Sequence, residues 1–318
     1  MPYILDKENI KSFKMSLAIV IPYYKKTFFR ETMESIVSQT CKDFILYIGD
    51  DASPEDPLDI IEKCKDKISI VYHRFEENLG GKNLVAQWER CIDLTNGEEW
   101  LWLFSDDDVM QNTCVEEFKK TIIQNECIQF IRFSKRFSNV RTGEGYNTIY
   151  EKGKTSFTDF VMDALDLTQN HVTMPEFVYK RNLYERNGYV NFPLAWWSDK
   201  ATYLNYILDA ESVYNLSSVV TFKFGENISS DNSEGVVMVK DGADIMFLSF
   251  MKRYVEKVND AKHQNMNDVW QKFIDRMTYV LCKNTFLYRN SAVVKMLPYA
   301  KGFSSYKNLF KILFNKKK

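Results

Sequence analysis

The chain has 318 residues, 45% hydrophobic and 15% aromatic, too apolar for a disordered polymer. Its 42 basic and 43 acidic residues give a formal net charge of −1, but no acidic residue follows Asp275 and the last 43 residues hold ten cations. Residues 1–275 therefore carry 32 basic against 43 acidic residues, an acidic body joined to a basic tail. No apolar run approaches the ~18 residues of a membrane-spanning helix. Residues 1–15 mix charges into every apolar stretch, unlike a secretory leader. The six cysteines are scattered without a C-x-x-C pair, and three histidines are too few for a His-rich metal site. A soluble, cytoplasmic protein with no nucleic-acid partner is expected.

In chain order, SLAIVIPYY (16–24) is a compact apolar run ending just after Pro22, the pattern of a strand buried on both faces. Residues 28–39 place Phe29, Met33, Ile36 and Val37 at helical spacing. A second strand over 44–49 ends at Asp50-Asp51. Ser53 is placed to cap a following helix that continues through 58–64. A third strand is expected over 68–73, then the loop NLGGKN, a helix over 84–95, and a fourth strand over 99–104 that delivers Ser105-Asp106-Asp107-Asp108. Residues 113–124 are again helical. This alternation predicts an α/β fold with a mainly parallel sheet flanked by helices. The right-handed crossover rule brings the strand ends to one edge, where open α/β sheets bind ligands.

Beyond this, a hairpin is expected near Arg141–Gly145, a helix over 157–167, and short strands with a helix over about 198–209 in 172–226. From 244 onward the pattern is helical. Residues 1–230 are read as one domain, in two halves over 16–125 and 126–230. Residues 231–318 are read as a helical extension with the basic tail. In that tail Phe310, Leu313 and Phe314 share a helical face among lysines. They form either a solvated terminal helix or a weak peripheral anchor at an anionic membrane surface.

Three consecutive carboxylates at 106–108 repel one another, so they make either a surface turn or a site for a hard divalent cation that offsets the charge. Asp50-Asp51 either caps a turn or accepts hydrogen bonds from a ribose or base. Neither G-x-G-x-x-G nor G-x-x-x-x-G-K-[ST] is present, which argues against dinucleotide and Walker-type phosphate binding. Glu98-Glu99 reads as a solvated turn. Lys82 either neutralises a diphosphate or faces solvent.

Residues 16–56, with Pro22, Ser35-Ile36, Gln39-Thr40 and Asp50-Asp51-Ala52-Ser53, resemble the opening of a family 2 glycosyltransferase of the GT-A fold. The Asn78-Leu79-Gly80 loop and the Asp106–Asp108 cluster are similar to further motifs of that family, in the same order over 16–115. The resemblance implies a nucleotide-sugar donor, most readily a UDP-sugar, a Mg²⁺ or Mn²⁺ ion, and inversion at the anomeric carbon. It places Asp51 on the base, Pro22 and the Tyr23-Tyr24 backbone along the nucleoside, Asn78 and Lys82 near the donor, and Asp106 near the ribose. Asp107 would bind the metal, with Asp106 or Asp108 as the second acidic contact. Asp199, 92 residues after Asp107, would be the general base, although Ser198-Asp199 could equally cap a helix. Trp196-Trp197 are either an acceptor platform or a buried pair, and His171 lies on the expected acceptor side. The acceptor expected is a glycan or lipid-linked glycan, in surface-polysaccharide assembly. A nucleotidyltransferase and an inactive sugar-nucleotide-binding protein are the alternatives. The first would favour a glycine-rich loop where Pro22-Tyr23-Tyr24 stand.

Overall fold

The computed structural model describes residues 16–165, 172–227 and 230–262, with positions 266, 271, 273 and 274. His171 and the basic tail lie outside the described residues.

The first four strands are β1 (Leu17–Tyr23), β2 (Ile45–Asp50), β3 (Ser69–Arg74) and β4 (Trp100–Leu103), separated by helices α1 (Phe29–Val37), α2 (Leu58–Ile61) and α3 (Leu84–Ile92). They run parallel in the spatial order β3-β2-β1-β4. Strand β1 is apolar on both faces because both are covered. Ala18 and Val20 pack with α3 residues Val85, Trp88 and Cys91, whereas Ile19 and Ile21 pack with α1 residues Phe29, Met33 and Ile36. Gly49 is where β2 meets α3: a Cβ there would lie 2.3 Å from the Cys91 Sγ.

The chain continues through β5 (Val109–Met110), α4 (Cys114–Gln124), β6 (Phe130–Asn139), β7 (Gly145–Thr148), β8 (Gly153–Ser156) and α5 (Phe157–Leu165). Then come β9 (Phe177–Lys180), α6 (Arg181–Asn187), α7 (Ser198–Ala210), β10 (Ser212–Phe224) and α8 (Glu234–Lys262). The expected hairpin is formed by β6 and β7. The full path is β3-β2-β1-β4-β9-β6-β10-β5. Strand β9 is antiparallel to both neighbours, and β5 is antiparallel to β10. The sheet is thus parallel through its first half and mixed beyond it.

Two sequence expectations are corrected. Ser53 caps no helix, because α2 starts only at Leu58 after Pro57. Its hydroxyl instead donates to Tyr24 O at 2.6 Å and accepts the Glu55 N–H, closing a loop. Helix α8 begins ten residues before the apolar periodicity suggested. Its residues Ala243, Phe247, Leu248, Met251 and Val258 are wholly buried in the core that also holds Tyr203 and Phe192.

Candidate active site

The strand order reverses between β1 and β4, with β2 on the far side of β1, and such a switch point opens a crevice at the carboxyl edge. Here one carboxylate spans that crevice. Asp106, just past β4, accepts the N–H groups of Tyr24 (2.7 Å) and Lys25 (2.8 Å), just past β1, on its Oδ2. Beside it lies a cleft of about 290 Å³ lined by Tyr24, Phe28, Pro54, Asp106, Asp107 and Lys223 among others. Tyr23 contributes only backbone here. Its ring is buried against Phe29, and its hydroxyl donates to Glu55 O at 2.6 Å.

The three acidic residues divide their work. Asp106 and Asp107 line the cleft. Asp108 is wholly buried, accepting the Lys223 N–H at 2.8 Å on Oδ1 and the Ser105 hydroxyl on Oδ2. Its expected place as a metal ligand is therefore corrected: the carboxylate is turned inwards to tie the loop to β10. Ser105 also holds Asp107, donating to its Oδ1 at 2.8 Å. Burial, reinforced by the Asp107 charge, pushes Asp106 up to about 7. Burial also raises Asp107, opposed by the Ser105 hydrogen bond and the charges of Lys223 and Lys25. Two crowded carboxylates driven toward protonation are a hard oxygen pair suited to a dication. Among the described residues no group of three or more His, Cys, Asp or Glu could hold an ion. An ion at Asp106 and Asp107 would need further oxygens from a bound ligand.

Asp51 is enclosed rather than open to the cleft. Its Oδ1 accepts the Leu79 N–H at 2.7 Å and the Arg90 guanidinium, and its Oδ2 accepts the Gly80 N–H at 2.8 Å. Only glycine fits at 80, since a Cβ would stand 2.6 Å from that Oδ2. Asn78 closes the same loop by accepting the Gly81 N–H at 2.6 Å. Lys82 faces solvent, 3.4 Å from Glu77. Asp50 is structural, wholly buried and bonded to Tyr72, Arg74 and the Ser53 N–H. Glu98, read as solvated, is buried and accepts from Tyr47 and Asn96.

Asp199 stands in the first turn of α7 on the same sheet edge. Strand β9 enters antiparallel to β4, so the 3-10 turn before it, Met174–Glu176, lies at the carboxyl end of β4. Strand β6 runs past the start of β9 and places Lys135 there, within 2.8 Å of the buried Glu176. Asp199 is close enough to feel both charges. Burial, set against the Lys200 N–H bonded to Oδ1 at 2.7 Å, raises it to about 6. The turn that leads into Asp199 is strained: Leu194, Ala195 and Trp197 all have positive φ, a cost of about 1–2 kcal/mol per residue for L side chains. Ser198 closes this turn by accepting the Phe192 N–H at 3.0 Å. Trp196 and Trp197 are half-buried, their indole N–H groups turned to α8. Trp197 lies flat on Phe247 of α8 at 5.0 Å, and both indoles donate to Asp244.

Residues 18–188, more than half of the chain, match the family model "Glycosyl transferase family 2". The chain belongs to glycosyl transferase family 2. No curated protein matches the sequence. The glycosyltransferase fold is similar to that of S. aureus TarS 1–349 in complex with UDP-GlcNAc, at 16% identity and TM-score 0.57 over 90% of this chain and 89% of that one. It is also similar to the mannosyltransferase PcManGT from Pyrobaculum calidifontis in complex with GDP-Man and Mn²⁺, at 11% identity and TM-score 0.52 over 93% and 79%. GalNAc-T7 with UDP, GalNAc and Mn²⁺ matches at 13% and 0.51 over 94% and 54%. At these identities the likeness shows the fold alone.

In this glycosyltransferase four structural partners carry no sequence signal: Arg90 on Asp51, Lys223 on the Asp108 loop, the Lys135–Glu176 pair, and Asp244 on the tryptophans. Each pairs residues on elements far apart in the chain. Among the described residues no helix is long and apolar enough to cross a membrane.

Proposed function

We propose that this glycosyltransferase moves a sugar from a nucleotide-diphosphate donor, a UDP-sugar first, to a hydroxyl of a glycan or lipid-linked glycan, with inversion, in polysaccharide assembly. One observation carries the reading. Asp106 and Asp107 face a cleft at the β1/β4 switch point, and Asp199 stands on the same edge beside Glu176 and Lys135. The donors held by the similar structures support the donor class. The Mn²⁺ that two of them hold supports a divalent ion.

In this reading the nucleoside lies against Pro22 and the Tyr24 backbone, with its base toward the loop that Asp51 and Asn78 brace. Asp106 is near the ribose, and Asp107, oriented by Ser105, would hold the Mg²⁺ or Mn²⁺ ion that accompanies the diphosphate. When bound, that ion offsets the charge that develops on the departing diphosphate. Lys25 and Lys223 add positive charge on the same wall. Asp199, fixed through Oδ1 by the Lys200 N–H, takes the proton of the acceptor hydroxyl as that oxygen bonds to the anomeric carbon and the bond to diphosphate breaks. The single displacement inverts the centre.

Asp199 must be ionised to act. Because its carboxyl is raised to about 6, kcat/KM should climb with pH through about 6. A profile that falls over the same range would remove Asp199 from the role. The reading as a whole is tested by incubating purified protein with Mn²⁺ and a panel of nucleotide sugars. One donor should release its nucleoside diphosphate slowly, and a chelator should stop it. No release from any donor would contradict the proposal.

A further inference from the structure

The segment that presents Asp199 is an unusual thing to keep folded. Three of the four residues at 194–197 hold positive φ without being glycine, and the described hydrogen bonds within the turn are few: Ala195 N–H to Phe192 O, Trp196 N–H to Pro193 O, and Phe192 N–H to Ser198 Oγ. Strained backbone of this kind persists only where its surroundings over-determine it. Helix α8, which the family match at 18–188 does not reach, packs against this turn alongside α3 and α7.

Asp244 of α8 is 7% exposed, and its Oδ1 accepts both indole N–H groups, Trp196 at 2.8 Å and Trp197. Around this pair the helix closes on the turn. Phe247 stacks on Trp197 with ring planes 7° apart, Phe250 and Phe247 flank Phe192, and the Lys240 ammonium lies 4.7 Å over Trp196. On the other side Lys200 lies 5.0 Å over the Trp197 ring. A buried carboxylate oxygen that takes two indole donors fixes two adjacent side chains, and hence the backbone between them, immediately before the residue that must be aimed at the acceptor. Asp244 is the group of α8 that hydrogen-bonds both tryptophans of this turn, with Lys240 as a second charged contact on Trp196 alone.

We propose that Asp244 is a positioning residue for Asp199: through Trp196 and Trp197 it locks the strained 194–197 turn, so that helix α8 sets the aim of the base without touching substrate. The inference rests on the reading of Asp199 as the base. It also gives helix α8 a catalytic reason to be packed where it is, beyond burying apolar surface. Both indoles use the same oxygen, so an amide that keeps one carbonyl oxygen should serve as well as the carboxylate, whereas loss of the oxygen should not.

The test compares Asp244→Ala, Asp244→Asn and Trp197→Phe with the wild-type full chain in a transfer or donor-hydrolysis assay, alongside nucleotide binding by calorimetry. Asp244→Ala should lower kcat about 10-fold or more while donor KM and nucleotide Kd stay within about twofold. Asp244→Asn should recover at least half of the wild-type kcat. Trp197→Phe removes one donor but keeps the ring on Phe247; it should lower kcat about threefold with donor KM unchanged, and it reports on the clamp even where the alanine variant does not fold. In an Asp199→Asn background, Asp244→Ala should add no further loss, because it acts through the missing base. Wild-type kcat in Trp197→Phe and Asp244→Ala would overturn the proposal. So would an Asp244→Asn variant as impaired as the alanine, or nucleotide affinity falling in step with kcat. Full kcat in Asp199→Asn alone would instead sink the base reading, whatever Asp244 does.

Discussion

Replacing Asp199 with Asn is expected to cut kcat by about 10²–10⁴, the usual worth of a positioned general base, and to leave donor affinity within about twofold. The amide is nearly isosteric, and its carbonyl can still accept the Lys200 N–H that now binds Oδ1, so the first turn of α7 should keep its geometry. What it cannot do is take a proton. The pH dependence should change with it, since the rise through about 6 belongs to the Asp199 carboxyl and has no counterpart in the amide. Steady-state kinetics with nucleotide binding by calorimetry checks both halves. An Asn variant with wild-type kcat would require another group on this edge to accept the proton.

Asp107→Ala should act on the other half of the reaction. The variant removes one of the two aspartates on the cleft and the group that Ser105 orients, while Asp108 remains tied to Ser105 and Lys223. Nucleotide affinity should then lose its dependence on Mn²⁺, falling by about 10-fold or more (about 1.4 kcal/mol per decade) to the value the wild type shows with chelator. Affinity without metal should stay close to wild type, because the Tyr24 and Lys25 N–H groups still meet Asp106. An Asp107→Ala variant with undiminished Mn²⁺-dependent affinity would take the ion elsewhere.

The parallel half of the sheet is legible because β1, β2 and β4 are buried on both faces and so read as unbroken apolar runs. Their ends are legible because those runs are interrupted by Pro22 and by Asp50-Asp51 and Asp106–Asp108, carboxylates that a core holds only where each is hydrogen-bonded or paired. The crossover rule then does the rest, bringing β1, β2 and β4 to one edge without any side-chain detail. The errors have a different physical origin. Asp106, Asp107 and Asp108 are neighbours in sequence, yet only the first two face the cleft, because the Lys223 N–H arrives from β10 to claim the third. The tryptophan pair looks like a sugar platform until Asp244, 47 residues beyond Trp197, is brought against both indoles. Asp51 looks open until Arg90 and the Leu79-Gly80 amides close on it. Ser53 and Glu98 differ from expectation for the same reason: polar side chains next to turns have several partners within reach, and tertiary packing chooses among them. Period and punctuation thus locate a site, whereas the inward or outward turn of each carboxylate depends on partners that arrive from distant strands and helices.

The most direct measurement follows the anomeric configuration of the sugar first released when the protein, with Mn²⁺, hydrolyses the α-linked donor it accepts, read by proton NMR before mutarotation. A single displacement guided by Asp199 predicts the β-anomer as the first product. Initial release of the α-anomer would contradict the account.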